Sequence, residues 1–261
     1  MNTIALAGNR LTGKVALISG GAGGCGAEAS KLFAAEGAKV VIVDRQGDAG
    51  LALAAEIRAA GHEASFCRAD VAIRGDVEAA VGHAVATYGA PTVLFNHAGS
   101  IVVKPFLETT DDEYDWLMDV NIRSMFLMTR AVLPGMLAAG GGAIVNTSSI
   151  SAVASTPMEV LYCTSKGAVH AFSRSIAVEF RDRGIRCNAV CPGFIRTAHG
   201  MREVELLTGY GVSASETDLA IQQGRMCEPI EVARAALFLV SDEASFINGT
   251  HLFVDNGFTA V

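Results

Sequence analysis

The segment Val15-Ala16-Leu17-Ile18-Ser19-Gly20-Gly21-Ala22-Gly23-Gly24-Cys25-Gly26 decides how the rest of the chain is read. A short apolar run leads into five glycines in seven positions, and a helical pattern opens at Ala27. Without Cβ atoms a loop backbone can lie against a pyrophosphate, and the following helix offers unpaired N–H groups and the positive end of its dipole. A glycine cluster alone is often only a flexible turn. Between a buried strand and a helix it predicts a nucleotide-binding loop, with Gly20, Gly24, Cys25 and Gly26 as expected contacts. No Gly-Lys-Ser/Thr follows, so a Walker-type loop is excluded.

The next apolar run, Val40–Asp44, ends in a carboxylate 18 residues after Gly26. Such a carboxylate accepts hydrogen bonds from a ribose diol and repels a 2′-phosphate, which favours NAD over NADP. Arg45 beside it is the cation that a 2′-phosphate would seek. Arg68-Ala69-Asp70-Val71 ends a third run, where Asp70 would hold an adenine amino group next to Val71. Asn96-His97-Ala98-Gly99 ends a fourth, and its small residues leave room for a nucleotide. Both clusters are also ordinary turn formers.

Beyond these tips the pattern continues. Apolar runs at Val15–Ser19, Val40–Asp44, Ala64–Arg68, Thr92–Asn96, Ala143–Ser149, Ile185–Cys191 and His251–Asp255 are nearly continuous, as strands buried on both faces should be. Helically spaced stripes such as Val77, Ala80, Val81, Ala84 and Val85 lie between them. Seven strands separated by helices predict a single-domain, doubly wound, Rossmann-like α/β fold: a seven-stranded parallel sheet with helices on both faces. Residues 196–224 are mixed in polarity and weakly helical. They follow a strand's carboxyl end, which predicts a substrate-covering loop inserted in that one domain, 1–261.

Composition narrows the class. The chain has 261 residues, 51% apolar and 18% charged, which excludes intrinsic disorder. A net charge of −7 with no basic block excludes a nucleic acid held through its phosphates. No run of 18 uninterrupted apolar residues predicts a membrane span, and the opening MNTIALAGNR lacks a basic start followed by a long apolar stretch. Six cysteines without CxxC spacing predict reduced thiols in a cytoplasmic protein. Six histidines without HExxH or paired spacing give no metal site.

Tyr162 and Lys166 stand four apart in a helical stretch and so share a face. A free tyrosine, with a pKa near 10, is a poor base at neutrality; a neighbouring ammonium lowers that value. Such a pair on a helix surface is commonly just a pair. Here Ser148-Ser149 lies upstream at a strand end, on a chain already expected to bind a dinucleotide. Which of the two serines faces the tyrosine is left open by strand alternation alone.

With these motifs in place, the chain resembles the short-chain dehydrogenase/reductase family, in its shorter single-domain branch. Ser19 through Gly26 is similar to that branch's Thr-Gly-x-x-x-Gly-x-Gly, and Asn96-His97-Ala98-Gly99 to its Asn-Asn-Ala-Gly. Asn121, Ser149, Tyr162 and Lys166 match its catalytic tetrad in order and interval, and the 13 residues from Ser149 to Tyr162 select the second serine. Pro192 through Thr197 resembles its Pro-Gly-x-x-x-Thr, and Val254-Asp255-Asn256-Gly257 its Val-Asp-Gly-Gly. Asn256 can take the left-handed conformation that a glycine would. His97 replaces an asparagine, and a structural role is expected for it.

The resemblance implies an NAD-dependent alcohol dehydrogenase or ketone reductase. Tyr162 would act as general acid/base and Ser149 would hydrogen-bond the substrate oxygen. Lys166 would lower the tyrosine's pKa and bind the nicotinamide ribose, and Asn121 would hold a relay water. Ile195 and Thr197 would grip the carboxamide or phosphates. Ser151, Val153, Met158, Phe194 and Met201 are the expected substrate contacts, a largely apolar set that predicts a neutral, hydrophobic or alicyclic secondary alcohol. The resemblance also implies a homotetramer, or a dimer, built on the helices near 112–139 and 162–181. The competing readings are an NADP-dependent biosynthetic reductase and a non-catalytic dinucleotide-binding sensor.

Overall fold

A computed structural model describes residues 9–260; the opening residues 1–8, read above for a targeting signal, lie outside the described part. In chain order the elements are β1 (Val15–Ser19), α1 (Gly24–Ala35), β2 (Lys39–Asp44), α2 (Gly47–Ala59), β3 (Ala64–Arg68), α3 (Arg74–Tyr88) and β4 (Val93–Asn96). They continue with α4 (Asp111–Met118), α5 (Ser124–Ala138), β5 (Gly142–Thr147), α6 (Val160–Phe180) and β6 (Ile185–Pro192). Last come α7 (Ala198–Gly209), α8 (Glu216–Gln222), α9 (Pro229–Val240) and β7 (His251–Val254). The strands form one parallel sheet in the order β3-β2-β1-β4-β5-β6-β7.

Each central strand divides its side chains between two cores, with the period of two that a pleated strand imposes. Ala16, Ile18, Val40, Ile42, Val93, Phe95, Ala143 and Val145 face the layer of α1, α2 and α9. Leu17, Val41, Val43, Leu94 and Ile144 face α3, α5 and α6. Burial on both sides explains why these runs read as continuously apolar. Chain direction across the sheet reverses between β1 and β4, which opens a crevice at their carboxyl ends.

Two boundaries differ from the sequence reading in ways that matter for the site. The first helix starts at Gly24, not Ala27, so its unpaired N–H groups belong to the glycine loop itself; Gly23 is the N-cap and provides no side-chain cap. The fifth strand stops at Thr147, leaving Ser148 and Ser149 beyond it, where Ser149 heads a short 3₁₀ turn over Ile150–Ala152.

The segment 196–224 is helical where the sequence predicted an irregular loop. Thr197 caps α7 by accepting from Gly200 N at 3.1 Å, and Ser215 with Asp218 forms a capping box on α8. Its base is closed by backbone pairing: Cys227 N donates to Phe194 O and Arg196 N to Cys227 O, both at 2.8 Å. The buried Gln223 clamps the same point, accepting from Phe194 N and donating to Phe194 O, each at 3.0 Å. Val204, Leu207, Ala214 and Leu219 bury themselves against Val103, Ile150 and Phe194, a small core separate from the two sheet cores.

Candidate active site

The carboxyl ends of β1 to β6 converge on a cleft of about 380 Å³. Gly20, Gly24 and Cys25 line its nucleotide side, while Gly26 lies beneath them. Gly20 has φ of 65°, and a Cβ there would stand 2.9 Å from the Ala98 backbone. A Cβ on Gly26 would stand 2.0 Å from Gly20 O, so only glycine fits. Ser19 ties loop to loop by accepting from His97 N at 3.1 Å and Ala98 N at 3.2 Å. The hydroxyl that replaces the family's threonine is thus in use.

Asp44 lies on the cleft, accepting from Ala22 N at 3.1 Å and Gln46 N at 3.0 Å. Arg45 turns to Asp70, 3.6 Å away, in a half-exposed ion pair. Asp70, Val71, Ile195 and Thr197 also line the cleft. Asn96 does not: its amide donates to Asn146 Oδ1 at 2.9 Å and Thr129 Oγ1 at 3.2 Å, inside the molecule. His97, Ala98 and Gly99 face the cleft at that strand tip instead. Burial, then the charges of Lys166 and His199, pull the His97 imidazole down to about 4, so it is neutral at physiological pH. Its Nδ1 lies 3.0 Å from Thr147 Oγ1.

Helix α6 carries Tyr162 and Lys166 on one buried face. Lys166 Nζ donates to Thr147 O at 3.0 Å and lies 5.5 Å from the Tyr162 ring centre. The two serines separate cleanly. Ser148 spends its hydroxyl on Lys166 O at 3.0 Å, whereas Ser149 lines the cleft beside Tyr162 and works against the rise of its pKa. Ser151 supports Ser149, with N–H and Oγ each 3.1 Å from Ser149 Oγ. Asn121 sits behind them in a π-helical turn over Asp119–Arg123, between α4 and α5. It brackets Ser100, accepting from N at 2.8 Å and donating to O at 3.0 Å, and also donates to Ser165 Oγ at 3.0 Å. Single π turns of this kind cluster at functional sites.

Burial raises the Tyr162 pKa well above its ordinary value, and the carboxyls of Glu203 and Glu159 add to the rise. Burial also lowers Lys166, to about 8.

Of the expected substrate contacts, Phe194 lines the cleft. Ser151 is buried behind Ser149, Met158 packs on the small core under α7, and Val153 and Met201 are exposed; none of these four lines the cleft. Side chains that line it instead include the apolar Val120 and Ile150 and the polar His199 and Glu203 of α7, with Glu159 buried next to Glu203. Glu159 carries a signal in the sequence, since Glu159, Tyr162 and Lys166 stand at i, i+3 and i+7 of one helical face.

A parallel sheet with a glycine-lined crevice, paired acidic tips and a tyrosine–lysine face defines a dinucleotide-dependent oxidoreductase. The comparisons agree. A family model described as enoyl-(acyl carrier protein) reductase matches residues 20–259. The chain is 40% identical to 2,5-dichloro-2,5-cyclohexadiene-1,4-diol dehydrogenase LinX of Sphingobium indicum, over 96% of this chain and 98% of that protein. It is 39% identical to the cyclopentanol dehydrogenase of Comamonas testosteroni, over 96% of this chain and 99% of that protein. The crystal structure of levodione reductase superposes with a TM-score of 0.90 at 32% identity, over 96% of this chain and 99% of that one. The chain belongs to the short-chain dehydrogenase/reductase family, whose members bind a nicotinamide dinucleotide. It is an alcohol–ketone oxidoreductase of that family. No helix among the described residues is long and apolar enough to cross a membrane.

Proposed function

We propose that the protein is an NAD(H)-dependent dehydrogenase interconverting a neutral alicyclic secondary alcohol and its ketone. The observation that carries this reading is the convergence of Ser149 and Lys166 on Tyr162 at the floor of the dinucleotide cleft. The cleft suits such a cofactor: a Cβ would fill the cradle at Gly20, and the uncapped start of α1 leaves donors free for a pyrophosphate. When bound, the nicotinamide supplies the hydride acceptor and a positive charge.

In the oxidising direction Tyr162, as phenolate, accepts the proton of the substrate hydroxyl. Ser149 donates to the substrate oxygen and holds it against Tyr162. Lys166 as ammonium opposes the burial that raises the Tyr162 pKa. Asn121 shapes the wall behind Lys166: a Cβ on Gly99 would stand 3.4 Å from Asn121 Oδ1 and 3.5 Å from Lys166 Nζ. We assign Asn121 to a proton relay at that convergence. Ile195 and Thr197 would hold the nicotinamide end, and the helical lid of residues 196–224 would cover the substrate.

Two observations support NAD over NADP: Asp44 stands at the ribose end, and Arg45 is engaged by Asp70. Asp44→Ala is expected to shrink the NAD-over-NADP preference in kcat/KM by about tenfold or more, the worth of one charge-assisted hydrogen bond pair. An unchanged ratio would remove Asp44 from cofactor selection.

An alicyclic substrate is supported by the relatives whose names record cyclopentanol and a cyclohexadienediol. A homotetramer is supported by apolar side chains left exposed on the three helices expected at the contacts, Trp116 on α4, Phe126 on α5 and Val178 on α6. Light scattering at four times the protomer mass is the expected result, with a dimer as the alternative. Six free thiols fit a cytoplasmic setting.

A further inference from the structure

Glu159, the N-cap residue of α6, is completely buried, and neither of its carboxylate oxygens meets a donor in hydrogen-bonding geometry. Its side-chain neighbours are Thr156 and the carboxyl of Glu203. Glu203 reaches in from α7, lines the cleft, and lies close enough to Tyr162 and Lys166 to shift both. Met158, immediately before Glu159, has φ of 68°, a left-handed conformation that a non-glycine residue rarely adopts. That turn is pinned by Lys104 N donating to Met158 O at 2.7 Å. A strained residue held in place beside an unpartnered buried carboxyl is a pattern of functional sites.

A buried carboxyl and a half-buried one in contact do not both ionise; one keeps its proton and donates it to the other. Burial raises both here; Glu159 raises Glu203 further, while the contact with Glu203 draws Glu159 down. With that proton spent between the two carboxyls, the pair presents to the cleft a carboxyl oxygen that accepts a hydrogen bond. An anionic substrate would meet its residual charge. A cationic one would compete with the ammonium of Lys166 and with the positive nicotinamide end. A neutral hydroxyl, which donates to that oxygen, meets neither penalty.

We propose that Glu203, positioned by Glu159, binds a second oxygen of the substrate while Tyr162 acts on the first, which makes the preferred substrate an alicyclic diol or hydroxyketone. This rests on the alcohol dehydrogenase reading above and narrows it. It also replaces the largely apolar pocket expected from the sequence with one that has a polar far wall.

The test compares kcat/KM with NAD for cyclohexanol, the cyclohexanediol isomers and 4-aminocyclohexanol, in the wild type, Glu203→Leu and Glu203→Gln. At least one diol is expected to exceed cyclohexanol by about tenfold in the wild type, the worth of one hydrogen bond to a desolvated group. In Glu203→Leu that ratio should collapse toward one, mainly through KM, and Glu203→Gln, which keeps an acceptor oxygen, should restore much of it. Glu159→Gln should raise KM for the diol more than for cyclohexanol, a split that a purely structural role would not produce. No diol above cyclohexanol, a ratio unchanged in Glu203→Leu, or a preference for the amino alcohol over every diol would each overturn the proposal. Absence of turnover on all of these compounds with either cofactor would instead overturn the dehydrogenase reading on which it rests.

Discussion

Tyr162→Phe is expected to lower the rate of alcohol oxidation by about 10²–10⁴-fold, the range that a positioned general base supplies. The phenol is buried, with Ser149 and Lys166 beside it in the cleft, so the change removes one oxygen and leaves the ring that fills its place. Little is lost in packing, and the fold should stay intact. Lys166 keeps its bond to Thr147 O, and the glycine loop and Asp44 are untouched. NAD affinity should therefore stay close to that of the wild type while turnover falls. Initial rates on an oxidised substrate, set beside an NAD titration, separate the two. A proportional fall in both would point to a structural tyrosine.

The second large effect is expected at Gly26. A methyl group there would stand 2.0 Å from the Gly20 carbonyl oxygen and 3.0 Å from Gly21 Cα, both backbone atoms with no rotamer to yield. Either α1 shifts away from β1 or the loop opens, and overpacking of this kind costs about 1–3 kcal/mol. For a chain of this size Gly26→Ala should lower Tm by about 2–4 °C for each kcal/mol lost. Because the displaced atoms are the ones facing the pyrophosphate, NAD affinity should drop as well, by about tenfold or more for each 1.4 kcal/mol forfeited. Differential scanning calorimetry with and without NAD reads both: the melting point falls, and the stabilisation on adding the dinucleotide shrinks. Gly61→Ala provides the comparison at a left-handed glycine where a Cβ meets nothing within 4 Å, and there the ligand-induced shift should survive.

The sheet and the glycine loop were legible because their signals are local and dense. Strands buried on both faces must be apolar throughout, and a loop that packs glycine on glycine must be written in glycine. Tyr162 and Lys166 could be paired from spacing alone, since one helix carries both. Ser148 and Ser149 could not be separated that way; the structure does so by tying the first to Lys166 O and leaving the second in the cleft beside Tyr162. Asn96 looked like a cofactor residue because it ends a strand at the crevice, yet its amide bridges β4 to Asn146 and Thr129.

The substrate side was the least legible part. Helix α8 is short, and α7, capped by Thr197, buries only the side chains of Val204 and Leu207, so few apolar positions announce this segment. With that segment read as a loop, Glu203 had no face assigned to it. Its meeting with Glu159, 44 residues earlier, exists only in the folded chain, where α7 comes back to the start of α6. Asn256, by contrast, behaves as its residue type predicts, with φ of 49° and its amide donating to Gln223 O at 2.8 Å.

The most direct test of the central claim is a screen of NADH absorbance over alicyclic secondary alcohols, with wild type and Tyr162→Phe run side by side. The account predicts NADH formation by the wild type on members of that panel, much slower reduction of NADP, and near-complete loss in the variant. Wild-type protein that binds NAD yet oxidises no alcohol in the panel, or a variant that matches the wild type, would contradict it.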